Sequence, residues 1–132
     1  QVRKYLYQMY PGNWHINMAD LGNIPRGKET SDTYFIVQEI LATLIRQNIT
    51  PIIIGGSQDI TYANYRAYDS FKKPVNIVSV DNQFDFSQEE ELISGRSYMS
   101  RIIMEQPNFL YNFTKRIVDR VRNKNLFFCV WL

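Results

Sequence analysis

Cysteine and histidine are scarce in this sequence, whose 132 residues include one of each, Cys129 and His15. A single cysteine excludes an internal disulfide, and its apolar neighbours predict a buried thiol. A lone histidine is more typical of a structural or exposed position than of a metal ligand, because a metal site usually needs several such groups. The sequence therefore does not belong to the disulfide-stabilised class of small proteins.

An excess of charge and a long apolar run are also lacking. The chain has 15 Lys and Arg residues against 13 Asp and Glu residues, a net charge of +2. This balance predicts no electrostatic attraction to nucleic acid or to a membrane surface. No signal peptide and no apolar run of membrane length is recognisable. We therefore expect a cytoplasmic protein without nucleic-acid or membrane partners.

The stretch from Ile49 to Phe86 has the pattern of a βαβ unit. Ile52–Ile54 is a short β-branched run that predicts a strand covered on both faces, and Gly55-Gly56 then allows a tight turn. Ser57 or Asp59 is a candidate cap for the following helix, whose predicted inward residues are Ile60, Ala63, Ala67 and Phe71. A second apolar strand, Val75–Val80, completes two parallel strands with a right-handed crossover.

Two other segments extend this pattern along the chain. Val2–Tyr10 has helical spacing, and Trp14–Met18 is a candidate strand that ends near Asp20, either a turn cap or a residue at the edge of the sheet. A helix is predicted from Ser31 or Asp32 to about Gln47, with an apolar stripe of Val37, Ile40, Leu41, Leu44 and Ile45. The sequence thus predicts an α/β fold of three layers, with a mostly parallel sheet of about four strands between helices.

The predicted topology brings two turns to one edge of the sheet. Because parallel strands deliver their carboxyl ends to the same edge, Gly55–Gln58 and Asp81–Asp85 should lie side by side. Converging carboxylates of Asp81 and Asp85 cost free energy unless a cation or hydrogen-bond donors compensate them. Either they cap turns without a metal, or with the Gln83 amide they form a weak oxygen-only site for magnesium or calcium. Phosphate binding at the Gly55-Gly56 turn is a further alternative, although no complete phosphate-binding fingerprint is present.

Four motifs in order make the sequence resemble the ureohydrolases, the family of arginase, agmatinase and formimidoylglutamase. Gly55–Gln58 resembles the family's G-G-D-H-S, and Asp81–Asp85 its D-A-H-x-D. Asp20–Ile24 is similar to D-L-G-D-V, and Ser94–Tyr98 to S-G-N-x-H. The resemblance covers about Val2–Thr114 and implies the N-terminal half of an incomplete arginase-like domain, with formimidoylglutamase-like members the most similar.

The departures from this pattern bear on function. The family's two manganese-binding histidines correspond to Gln58 and Gln83, its acidic residue to Ser57, and its substrate-side histidine to Tyr98. The later motif S-x-D-x-D is absent. A carboxamide is a much poorer ligand than imidazole for such ions, so we expect no cofactor, and manganese is implied by the resemblance alone. Tyr98 is then either a hydrogen-bond donor to the site or a core residue, on a helix predicted over Ser94–Gln106 with Ile102 and Ile103 also inward.

The end of the chain departs from the family, so we divide it into a domain of residues 1–114 and a divergent segment of residues 115–132. Pro107–Thr114 is interpreted as an aromatic connection, and Lys115–Asn125 as a basic amphipathic helix with a solvated face. Leu126–Leu132 is either a sheet member, an oligomer contact or an aggregation hazard.

The leading interpretation of function is a non-catalytic or truncated ureohydrolase-like domain. The alternatives are an active hydrolase of linear amidines, completed by further residues or a partner, and a protein-interaction module that pairs through an exposed sheet edge.

Overall fold

The computed structural model describes residues 2–9, 12, 17–55, 57–81, 83–88, 92–117 and 128–131. This part of the chain forms an α/β fold of four helices and three strands. The helices are α1 (Val2–Leu6), α2 (Thr30–Arg46), α3 (Ile60–Asp69) and α4 (Tyr98–Met104). The strands are β1 (Val75–Asp81), β2 (Leu110–Ile117) and β3 (Phe128–Trp131).

The sheet is mixed, with strand order β2-β1-β3. β1 and β2 are parallel, and α4 is the crossover between them, whereas β3 is antiparallel to β1. The predicted α/β class with parallel strands is therefore confirmed, and the described residues contribute three strands, of which β3 departs from the predicted parallel direction. The connection from β2 to β3, residues 118–127, is shorter than the crossover of about a dozen or more residues that a parallel strand needs.

Ile52–Ile54 does not form the predicted strand. Both edges of β1 are already paired, by β2 on one side and β3 on the other, so no ladder beside β1 remains for this segment. Ile52 is 81% exposed and Ile54 62% exposed. The predicted βαβ unit through α3 is wrong, and the observed one runs through α4. Residues 14–16 of the other predicted strand lie outside the described residues.

Helix α2 starts one or two residues before the predicted caps, and a different hydrogen bond caps its N-terminus. The Asp32 carboxylate, inside the first turn, accepts a hydrogen bond of 3.0 Å from the backbone N–H of Glu29. Val37 and Leu41 of the predicted stripe are buried, but Ile40 is 37% exposed and was wrongly assigned to the core. The buried face is completed by Ala42, one residue after Leu41.

Helix α3 separates two buried clusters. On one side Ala63 and Ala67 pack with Val37, Leu41 and Ala42, and the small side chains allow α2 to approach closely. On the other side lie Tyr65, Val75, Ile77, Tyr98, Met99 and Ile102. Of the predicted inward residues, Ala63 and Ala67 are buried, and Ile60 and Phe71 half-buried. Asp59 does not cap the helix with its side chain, and its carboxylate instead accepts a hydrogen bond from the Tyr34 hydroxyl.

The segment after α4 corrects a further prediction. Lys115–Ile117 belongs to β2 and not to an amphipathic helix, and β2 starts within the predicted aromatic connection. The rest of that predicted helix, residues 118–125, lies outside the described residues, as does the side chain of Cys129. In α4, Tyr98 and Ile102 are buried as predicted, whereas Ile103 is 46% exposed. None of the helices in the described ranges combines the length and the apolar composition that a membrane span requires.

Candidate functional site at the carboxyl end of β1

Two acidic residues at the carboxyl end of β1 are buried, one in the strand and one in the turn that follows. Val75, Ile77, Ser79 and Asp81 are buried, as expected for every second residue of a strand with one covered face. The chain then turns and returns Asp85 to the same place. The Asp81 and Asp85 side chains are 4% and 2% exposed. The two carboxylates lie close together, since both are within 3.1 Å of the same ammonium nitrogen.

The cation that compensates these carboxylates is Lys115 of β2. Its Nζ lies 3.1 Å from Asp81 Oδ2 and 2.5 Å from Asp85 Oδ2, and the lysine side chain is 3% exposed. A buried charge is stable only when it is paired and hydrogen-bonded, and here one ammonium donates to both acids. We call Gln58, Asp81, Asp85, Tyr98 and Lys115 the β1-edge cluster.

Gln58 closes the cluster from the turn before α3. Its Nε2 donates hydrogen bonds to Asp81 Oδ2 at 3.0 Å and to the Tyr98 hydroxyl at 3.1 Å. Because an ionised carboxylate only accepts hydrogen bonds, the amide must present its nitrogen to Asp81. A nitrogen in that orientation has no lone pair for a metal ion. Tyr98, the first residue of α4, is 1% exposed, so it is both a core residue and a member of the cluster.

The surroundings of Asp85 shift the pKa of its carboxyl group upwards. Burial raises the pKa of its carboxyl above the ordinary value, and the neighbouring Asp81 raises it as well, while Lys115 lowers it. The physical cause is that burial removes the carboxyl group from water, which disfavours its charged form, and that a second carboxyl group lies beside it.

The remaining predicted site residues lie elsewhere or outside the description. Gln83 and Gly55 are both exposed. Gly56 and His15 lie outside the described residues, so phosphate binding at the Gly55-Gly56 turn stays a prediction.

Asp20 caps a turn, one of the two roles foreseen for it. It accepts a hydrogen bond of 2.8 Å from the backbone N–H of Gly22, whose φ of 91° lies in the left-handed region. The same carboxylate binds the Arg3 guanidinium and the Tyr7 hydroxyl of the segment that contains α1. These contacts hold the pKa of Asp20 well below its usual range, chiefly through Arg3.

Lys115 is the functional residue that sequence reasoning missed. A signal was present, because Phe113 and Lys115 lie two residues apart in a strand, which puts the lysine on the same face as an apolar residue. A lysine on an apolar face, in a chain with two unexplained aspartates at a strand end, indicates a buried ion pair.

Comparison with known proteins places the chain in a family. The model of the Arginase family matches residues 2–121. The chain belongs to the arginase family. It is also similar to a formimidoylglutamase of Geobacillus sp. (strain WCH70), with 27% identity over 106 residues that cover 74% of this chain and 33% of that protein. This arginase-family chain therefore spans about a third of the length of that relative. No solved structure matches it significantly.

The side chains of the β1-edge cluster do not fit the role of ligands for the manganese pair that the resemblance implies. Both carboxylates are engaged by the Lys115 ammonium, and Gln58 offers a hydrogen-bond donor in place of an imidazole nitrogen. Across the residues with a described position, no group of three or more His, Cys, Asp or Glu side chains is arranged to hold a metal ion. A divalent cation bound between these carboxylates would be repelled by the buried Lys115 ammonium.

Proposed function

We propose that this chain forms part of an arginase-family domain that does not hold a binuclear manganese site and does not hydrolyse a C–N bond. The observation that carries the proposal is the Lys115 ammonium, which binds both Asp81 and Asp85. A two-metal hydrolase uses its ions to generate the attacking hydroxide and to hold the substrate. An ammonium in their place neutralises the carboxylates but provides neither an open coordination position nor a bound water.

Manganese content after reconstitution tests this proposal. The 132-residue chain is incubated with excess manganese chloride, desalted and analysed by inductively coupled plasma mass spectrometry. We expect well under one ion per chain, since the ligands are few and already paired. About two ions per chain, the content of a two-metal site, contradict the proposal. The Asp81→Asn/Asp85→Asn variant is the control that shows whether any retained manganese depends on these carboxylates.

A second candidate function is hydrolysis of a linear amidine, with the ligand set completed by residues outside this sequence or by a partner. It is favoured by one observation, that the chain spans 33% of the formimidoylglutamase it resembles. Steady release of urea, ammonia or formamide from a guanidino or formimidoyl substrate, abolished by Asp81→Ala, supports this candidate. Absence of release from a protein that carries the complete natural chain removes it.

Association through the sheet is a third candidate, because β3 is at the edge of the sheet in the order β2-β1-β3. An edge strand presents backbone donors and acceptors that a second copy of the chain can pair with. Sedimentation that finds only monomer across a wide range of protein concentration contradicts it.

A cytoplasmic location stays a prediction.

A further inference from the structure

The β1-edge cluster buries three charged side chains on three different segments. Lys115 comes from β2, Asp81 from the end of β1 and Asp85 from the turn that follows. Each side chain is at most 4% exposed. Moving a carboxylate out of water costs several kcal/mol unless a cation or several donors replace the lost hydration. A positive charge placed between two buried carboxylates therefore stabilises both of them.

The contacts of Lys115 supply that charge from within the chain. An ammonium has three N–H donors, of which one is within hydrogen-bond distance of Asp81 and another of Asp85. Gln58 adds an uncharged hydrogen-bond donor to Asp81 from the turn before α3. A divalent cation would stabilise a carboxylate pair in a similar way, because it also binds carboxylate oxygens from two segments at short distance.

We propose that Lys115 is the resident cation of this edge, so that the domain buries Asp81 and Asp85 and joins β1 to β2 without any metal ion. This inference rests on the proposed function, since it assigns the place of the ions to a side chain. A covalently attached cation cannot dissociate, so a chelator has nothing to remove. The lysine also ties the turn after β1 to β2, because its two carboxylate partners lie on either side of that turn.

Thermal unfolding of the complete 132-residue chain and three variants tests the inference. Lys115→Met keeps most of the side-chain volume and removes the charge. Its melting temperature should fall by roughly 10 °C or more, because one partner of a buried ion pair is left alone. Asp81→Asn/Asp85→Asn/Lys115→Met removes all three charges together and should recover most of that loss. The matched control is Lys73→Met, an exposed lysine whose replacement should leave the melting temperature unchanged.

Metal ions provide the second measurement. Neither EDTA nor millimolar manganese, magnesium or calcium should shift the melting temperature of the natural sequence. The same ions should raise the melting temperature of a folded Lys115→Met variant, because its carboxylates lack a cation, and should leave the triple variant unaffected.

Several results overturn the inference. One is a Lys115→Met variant as stable as the natural sequence, and another is a natural sequence that EDTA destabilises. A folded Lys115→Met variant without a response to metal ions also contradicts it. If Lys115→Met does not fold, a triple variant that is equally unfolded shows that lost packing rather than lost charge is responsible. These outcomes are distinct from failure of the proposed function, which is two manganese ions bound to the natural sequence.

Discussion

Lys115 of β2 is the register partner of Ser79 of β1. Paired residues on neighbouring strands project to the same face of the sheet, and Ser79 is 4% exposed. The register therefore directs Lys115 to the covered face, where Asp81, two residues after Ser79, also points. A shift of one residue in this register would turn the lysine to the opposite face and leave both aspartates without their cation.

The two glutamines at the family's histidine positions should differ in their contribution to stability. Gln58→Leu removes a donor to the Asp81 carboxylate, and a hydrogen bond to a charged group contributes about 1.5–3 kcal/mol. We expect a comparable loss in the free energy of unfolding, measured by urea denaturation. Gln83→Leu is the control, because Gln83 is exposed and should change stability by less than about 0.5 kcal/mol. Equal losses of stability for the two changes would show that the hydrogen bond from Gln58 to Asp81 does not stabilise the fold.

Two neighbouring residues of α2 test the packing of that helix on α3. Leu41 is 3% exposed and Ile40 37%. Leu41→Ala should lower the free energy of unfolding by about 2–5 kcal/mol, because it leaves a cavity next to Ala63 and Ala67. Ile40→Ala should cost clearly less, since part of that side chain is already in water. The two losses, read from denaturant unfolding, would be of similar size if the sequence-based stripe were correct at Ile40 as well as at Leu41.

Stability should decline in alkaline solution because of Tyr65. Burial is the main cause that raises the pKa of Tyr65 to about 12, from an unfolded value near 10. The folded state thus keeps a proton that the unfolded state releases. The free energy of unfolding is unaffected below about pH 10 and falls by about 2 kcal/mol between about pH 10 and 12. Urea denaturation across this range measures the decline, and Tyr65→Phe should show a smaller one. Parallel declines in both proteins contradict this assignment.

Glu105 connects α3 to the end of α4. It accepts hydrogen bonds from Arg66 Nη1 at 2.5 Å and from the Tyr62 hydroxyl at 2.8 Å, and its side chain is 14% exposed. Glu105→Gln removes the charge and leaves Arg66 without this ion pair, so we expect a loss of about 1 kcal/mol, reduced by the partial exposure of Arg66. Raising the salt concentration should weaken the natural contact and narrow the difference in unfolding free energy between the two proteins. A difference independent of salt points to packing instead.

Helices with a clear apolar period were predicted well from the sequence. α3 and α4 lie inside their predicted ranges, α2 starts one or two residues before its predicted start, and β1 matches the predicted Val75–Val80 with one residue more. Membership of the family was also evident from motif order, and the match over residues 2–121 confirms it. These features depend on neighbours in sequence or on short motifs, which a single chain displays directly.

Strand pairing was predicted less well. Ile52–Ile54 has the composition of a buried strand, yet β3 from the far end of the chain occupies the second edge of β1. Which of two apolar segments pairs with a strand depends on loop lengths and on competition between distant parts of the chain, and composition does not reveal the outcome.

The amino-acid sequence by itself determined the α/β class, the family, the helices and the two aspartates at the end of β1, because each follows from local periodicity or from a motif. Only the tertiary structure decided how those aspartates are compensated. Lys115 follows Asp81 by 34 positions and becomes its partner through the register of two parallel strands. Whether a charged side chain is buried and paired depends on the surrounding parts of the chain that exclude water, and these are known only from the folded structure.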